Sequence, residues 1–229
     1  RITMTSVLAI ETSTPACSVA LRMGDTVIFR YCEEPRSHTK LVMSMVDEVL
    51  GQAPIKAADL NGLAVTLGPG SFTGLRIGFA TVQGLAFGLD LPVVAVSTLQ
   101  VMVQTAVRKQ GLEVGAIIMP ILDARMGEFN CGCYRLESNG KCSALMQDQL
   151  LTADEALRLI DQYQPHAVVG EGGQLEVPDL IDLYPDALDL VNIADEKFAQ
   201  GLAQSIDSIE LIYLRGTDAW QKRKRIRAS

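Results

Sequence analysis

Apolar positions in this chain fall into short runs that alternate with longer, wider apolar stretches. Val7-Leu8-Ala9-Ile10 is a short run closed by Glu11-Thr12-Ser13-Thr14-Pro15. Residues 17–22 and 27–32 alternate about the turn Met23-Gly24-Asp25, so the first three strands read as an antiparallel meander. Ser37 is placed to cap a helix over residues 39–50. That helix carries Leu41, Val42, Met43, Met45, Val46, Val49 and Leu50, more than one stripe, which predicts two covered faces. A strand over 63–67, a helix over 75–89, a strand over 93–96 and a helix from Ser97 or Thr98 to Lys109 complete a first unit.

A second unit begins after Gly115. Strands are predicted over 116–122, 128–136 and 142–149, the last two joined by the turn Ser138-Asn139-Gly140-Lys141. Thr152 caps a helix over 153–163, and Glu155 completes a capping box. Strands over 166–170 and 188–193 and a helix over 195–206 follow. The pattern of three meandering strands, helix, strand, helix, strand thus occurs twice, with a boundary near 105–114. The expected organisation is an amino-terminal lobe over 4–105, a carboxy-terminal lobe over 106–217 and a tail over 218–229. A duplicated α/β unit of this kind, each lobe a mixed sheet with helices, resembles the actin-like, sugar-kinase and Hsp70 ATPase (ribonuclease H-like) superfamily. By that analogy the acids that follow the first strand of each half, Glu11 and Asp123, face each other across a nucleotide cleft.

Composition narrows the function classes. A 48% hydrophobic content supplies a core, and no apolar run approaches the roughly 18 residues of a membrane span. No basic region followed by an apolar core opens the chain, so a cytoplasmic protein is expected. The five cysteines, an odd number, suit a reducing compartment, and with only His38 and His166 available no metal site is expected. Lys222, Arg223, Lys224, Arg225 and Arg227 carry +5 of a net −7, which leaves −12 on residues 1–221. Such an acidic body is a poor nucleic-acid clamp, and the basic tail is expected to be solvated and disordered.

The densest candidate chemistry is Gly68-Pro69-Gly70-Ser71-Phe72-Thr73-Gly74-Leu75-Arg76-Ile77-Gly78, set between a strand and a helix. It lacks the Gly-Lys-Ser/Thr of a phosphate-binding P-loop. Two roles fit it: backbone N–H groups aimed at an anion, or a tight strand-to-helix turn. Likewise Glu11, Thr12, Ser13 and Thr14 suit either a phosphate or hydrated metal, or the capping of their own turn. In the helix beyond the loop, Ala80, Gly84 and Gly88 recur every four residues and form a smooth strip that suits a close neighbouring helix.

These motifs, together with Ile10-Glu11-Thr12-Ser13, Ser97-Thr98-Leu99, Asp123-Ala124-Arg125-Met126-Gly127-Glu128 and Tyr213-Leu214-Arg215, resemble the bacterial TsaB (YeaZ) family over nearly the whole chain. The resemblance implies a part in making N6-threonylcarbamoyladenosine in tRNAs that read codons starting with A. It implies binding to the transferase subunit TsaD, cooperation with the ATPase TsaE, and contact with tRNA only through the complex. TsaD carries a His-x-x-x-His pair where this chain has Thr98 and Met102, so the resemblance implies a catalytically inactive partner with no required cofactor. ATP or ADP is expected, if anywhere, at the complex interface, near Glu11, Thr12, Ser13, Asp123 and Arg125. Active ATPase, metal-dependent hydrolase and tRNA-binding module are the alternatives. The helices over 39–50 and 75–88 are expected side by side. Their surface of Met43, Met45, Val46, Leu50, Ala80, Gly84 and Gly88 is expected to serve a homodimer when the chain is alone and TsaD in the complex.

Overall fold

The computed structural model describes residues 5–34 and 38–215. Ser37 and the basic tail, for which a cap and a disordered segment are expected, lie outside the described residues. Strands β1 (Ser6–Glu11), β2 (Cys17–Met23) and β3 (Thr26–Cys32) form the expected meander. Helix α1 (His38–Gly51), β4 (Gly62–Thr66), α2 (Phe72–Leu89), β5 (Val93–Val96) and α3 (Thr98–Gln110) follow. The five strands lie in the order β3-β2-β1-β4-β5, with β1, β4 and β5 parallel.

The central strand β1 is buried along its whole length because both faces are covered. Leu8 and Ile10 pack with Val42, Val46 and Val82 of α1 and α2. Val7 and Ala9 face the other way, toward Leu190, Val191 and Ala194. Helix ends obey local chemistry. Ser97 caps α3 by accepting from the N–H groups of Leu99 (3.1 Å) and Gln100 (3.3 Å). Gly111, at φ 62°, closes the same helix in the left-handed region.

The second sheet repeats the meander with β6 (Ile117–Asp123), β7 (Glu128–Leu136) and β8 (Cys142–Thr152), then α4 (Ala153–Tyr163) and β9 (Ala167–Glu171). Its order is β8-β7-β6-β9, with β6 and β9 parallel, and Thr152 and Glu155 form the expected capping box. This is the expected duplicated actin-like arrangement, with the second copy reduced. Where a fifth strand would lie, Ile181 makes a single parallel bridge to Val169. Residues 188–193, expected as a strand, are instead part of helix α5 (Ala187–Ala199), capped by Asp186, whose side chain accepts from Leu188 N. The helix expected over 195–206 is therefore the second half of α5 and the chain that follows it.

Packing crosses the boundary between the halves. Leu99, Met102, Val103 and Ala106 of α3 join the core of the second sheet. Ala187, Leu190, Val191 and Ala194 of α5 join that of the first. Each half thus contributes a helix to the other.

Candidate functional site

β1 ends at Glu11, and the loop that follows folds under the start of α2. Thr12 Oγ1 donates to Gly74 O at 2.7 Å, and Ser71 N donates to Ser13 O at 2.7 Å. The loop glycines permit this approach. A Cβ on Gly70 would sit 2.3 Å from Ser13 O, one on Gly74 2.1 Å from Thr12 O, and one on Gly78 2.3 Å from Thr12 Oγ1. The close-packed turn, one of the two roles open to the loop, is thus what the glycines serve.

Glu11 does not face the cleft, contrary to the expectation drawn from the superfamily. It has no exposed surface. Its Oε1 accepts from Ser13 N (2.7 Å) and from the Ser13 hydroxyl, and Oε2 completes no hydrogen bond. Burial raises its pKa from 4.5 to about 7, against the opposing pull of the Ser13 hydroxyl and backbone N–H. An acid held this way caps its own turn and is half neutral near pH 7. Thr12, spent on Gly74, is buried too.

Above this floor lies a cleft of about 970 Å³. One wall is Ser13, Thr14, His38 and the loop from Pro69 through Gly74, with Arg76 beyond. The other is Asp123, Ala124, Arg125, Asn130 and Glu171, and Ile212–Arg215 runs along it. Asp123 thus lines the cleft, but its carboxylate is engaged by Arg125, through the backbone N–H (2.8 Å) and Nη1 (3.1 Å). Ser71 and Thr73 are exposed at the start of α2. The Arg76 guanidinium lies 3.6 Å over the Phe72 ring, with Nε 3.4 Å from the Tyr213 hydroxyl. Gly68, at φ 113°, does not line the cleft. Its missing side chain leaves room for Ile212 O, which a Cβ would approach to 2.5 Å.

The structure therefore brings Ser13, Gly70, Ser71, Thr73, Gly74, Arg76, Asp123 and Arg125 to one cleft and withholds Glu11, Thr12 and Gly68 from it. Thr14, one of the hydroxyls expected at this turn, lines the cleft with its own buried hydroxyl unpartnered, and a residue not expected there is His38, whose Nε2 reaches Thr14 O (2.7 Å) and Ala16 O (3.1 Å). Glu171 and Asn130 were also missed. His38 could have been suspected as one of two histidines; Asn130 carries no local signal.

Thr98 and Met102 are fully buried. Met102 packs in the core of the second sheet, and the Thr98 hydroxyl has no hydrogen-bond partner. Among the described residues no three His, Cys, Asp or Glu side chains cluster as metal ligands would. No helix of the described residues is long and apolar enough to cross a membrane.

Helices α1 and α2 pack against each other as expected, but the surface they share is narrower. Met45 and Val46 are core residues facing β2 and cannot serve a partner. Met43 (44% exposed), Ala80, Gly84 and Gly88 lie outside, Leu50 is half-buried, and Phe87 (59% exposed) joins them.

The family model described as "TsaD: tRNA N6-adenosine threonylcarbamoyltransferase" matches residues 33–186. A protein of Escherichia coli named tRNA threonylcarbamoyladenosine biosynthesis protein TsaB is 36% identical, with 94% of this chain and 97% of that protein aligned. Its namesake in Haemophilus influenzae is 34% identical over 95% and 96%. The solved structure of YeaZ from Pseudomonas aeruginosa superposes with a TM-score of 0.80 at 32% identity, covering 92% of this chain and all of that one. A second Pseudomonas aeruginosa structure, an uncharacterized protein with similarity to peptidase YeaZ, gives 0.83 at 33%, covering 93% of this chain and again all of that one.

Proposed function

This chain belongs to the TsaB family, and on that premise we propose that it serves the formation of threonylcarbamoyladenosine in tRNA as a non-catalytic subunit. In this reading it binds and organises the transferase TsaD, acts together with the ATPase TsaE, and meets tRNA only within the assembly. The observation that carries it is the state of Thr98 and Met102, the positions that answer to the histidine pair of TsaD. Both side chains are completely buried, so neither offers a donor to the cleft. The buried Glu11 points the same way: an acid without access to solvent is poorly placed to hold a hydrated metal beside a phosphate. Any ATP or ADP is then held at the interface with the partner. The outer face of α1 and α2, with Met43, Leu50, Ala80, Gly84 and Gly88, is the surface proposed for TsaD and, in the free chain, for a second copy.

The test is reconstitution. The chain alone, TsaD and TsaE from the same source, and their mixtures are assayed for transfer of threonylcarbamoyl to tRNA and for complex formation by light scattering. We expect no transfer by the chain alone, a stable complex with TsaD, and transfer only from the mixture. Transfer or sustained ATP turnover by the chain alone, or full activity of TsaD and TsaE without it, overturns the reading.

A further inference from the structure

Two motifs whose role the cleft does not explain, residues 123–128 and 213–215, meet in space. The turn after β6 holds three successive residues in the left-handed region: Arg125 (φ 68°), Met126 (φ 59°) and Gly127 (φ 76°). Only the glycine adopts this conformation without steric cost. Within the turn, Ala124 N donates to Glu128 O (2.9 Å) and Glu128 N donates to Arg125 O (3.2 Å). Asp123 Oδ1 also accepts from Arg125 N (2.8 Å), and further restraint comes from outside the turn. Arg215 Nη2 donates to Ala124 O (3.0 Å) and Arg125 O (2.9 Å) and pairs with Glu128 Oε2 (2.7 Å), while Nη1 meets the Met126 sulfur at 3.0 Å. One planar guanidinium thus serves two carbonyls, a carboxylate and a thioether of a single turn.

The segment that delivers Arg215 is fixed to the other lobe. Ile206 and Ile209 are buried in the core between the first sheet and its helices α1 and α2. Ile212 N donates to Leu67 O (2.8 Å), and Ile212 O occupies the space that Gly68 leaves free. The Tyr213 ring lies 5.5 Å from that of Phe72, and its hydroxyl contacts Arg76. From Ile209 to Arg215 the chain therefore runs from the glycine loop of one wall to the left-handed turn of the other, lining the cleft on the way.

We propose that Ile209–Arg215 is a latch across the cleft, in which Arg215 holds the 124–127 turn while Ile212 and Tyr213 hold the glycine loop. Release of Arg215 lets the turn leave the left-handed region and frees Ile212 from Leu67, so that the two walls loosen together. Arg215 is partly exposed at the rim, within reach of an anionic group that enters the cleft and competes with Glu128.

Residue-resolved amide hydrogen exchange of the full chain tests it, with Arg215→Ala and Arg215→Lys compared with the native protein. In Arg215→Ala, exchange at Ala124 and Glu128 and at Ile212 is expected to rise together by about tenfold or more, while β1 stays unchanged. Arg215→Lys, which keeps the charge but loses the planar fork, is expected to fall between, and decides the matter if the alanine variant does not fold. Adding Met126→Gly to Arg215→Ala is expected to restore part of the protection in the turn, since glycine accepts the left-handed region unaided. Exchange within twofold of native at both places overturns the proposal. Faster exchange in the turn with Ile212 unchanged also overturns it, because Arg215 is then a local bracket.

Discussion

At the scale of single residues, Glu11 shows what charge type alone conceals. An acid after the first strand is legible in the sequence; its burial under Ser13 is not, because the cover comes from the Gly70, Gly74 and Gly78 approach some sixty residues away. Its consequence is a pH dependence of unusual sign. The folded pKa, about 7, lies above the unfolded value of 4.5, so the folded state binds the extra proton between those limits. The stability tied to the neutral carboxyl is present below pH 4.5 and is lost as pH rises toward 7, to a total of about 3 kcal/mol at most. Glu11→Gln removes the titration and keeps the shape. Urea denaturation at pH 5 and pH 7.5 should show the variant gaining on the native protein by roughly 2–3 kcal/mol between the two. Parallel pH profiles of the two proteins would mean that Glu11 does not titrate in this range.

At the scale of elements, the chain spells two glycine series, one running from the loop into α2 and one along its outer half, and only the structure tells them apart. Gly70 and Gly74 face the backbone of Ser13 and Thr12, and Gly78 faces the Thr12 hydroxyl, whereas Gly84 and Gly88 face open space. Gly74→Ala should therefore cost about 2–3 kcal/mol through overlap with Thr12 O, which the helix cannot leave without breaking the Thr12–Gly74 hydrogen bond. Gly84→Ala should stabilise by about 0.5–1 kcal/mol, because alanine is the better helix former and meets nothing. Thermal unfolding of both variants checks the pair, and a destabilised Gly84→Ala would show that this face is already covered. The meanders, α1 and α2 were legible from periodicity, and the Ser97 start of α3 and the Thr152 capping box from their caps. Residues 188–193 were not: a short apolar run fits a buried strand or a buried helix equally, and the deciding feature is the Asp186 cap. The width of the apolar arc on α1 predicts two covered faces, and a helix lying on a sheet beside another helix buries two, so Met45 and Val46 go to the core and are lost to the expected partner surface.

At the scale of the molecule, the two halves are joined by more than a linker, because α3 and α5 each cross to the opposite sheet. The crossing is held by charge. Arg108 of α3 donates to Asp189 from Nε (3.0 Å) and Nη2 (2.8 Å) and to Asp186 from Nη2 (3.1 Å). Thr105 Oγ1 donates to Asp189 at 2.8 Å. Asp186 is itself the cap of α5, and beside it Ala187 N donates to Ser18 Oγ (2.8 Å) of the first sheet. Both carboxylates are about 95% buried while Arg108 is 37% exposed, so the guanidinium compensates two charges and is itself still hydrated. Burial pushes the Asp186 carboxyl above its usual range, and Arg108 opposes that push. None of this is visible in the sequence, where Arg108 stands as an ordinary base in the last turn of a helix. Removing it by Arg108→Ala leaves two neighbouring buried carboxylates without a counter-ion, which should cost about 2–4 kcal/mol at pH 7.5. The sign with pH follows: in the variant the Asp186 carboxyl, already raised by burial, loses the charge that opposes the rise and takes up a proton on folding more readily, so the deficit should shrink as pH falls toward 5. Chemical denaturation at the two pH values measures this. A deficit under about 0.5 kcal/mol, or one that does not change with pH, would mean that the α3–α5 crossing is held by its apolar contacts and that the acids are solvated in solution.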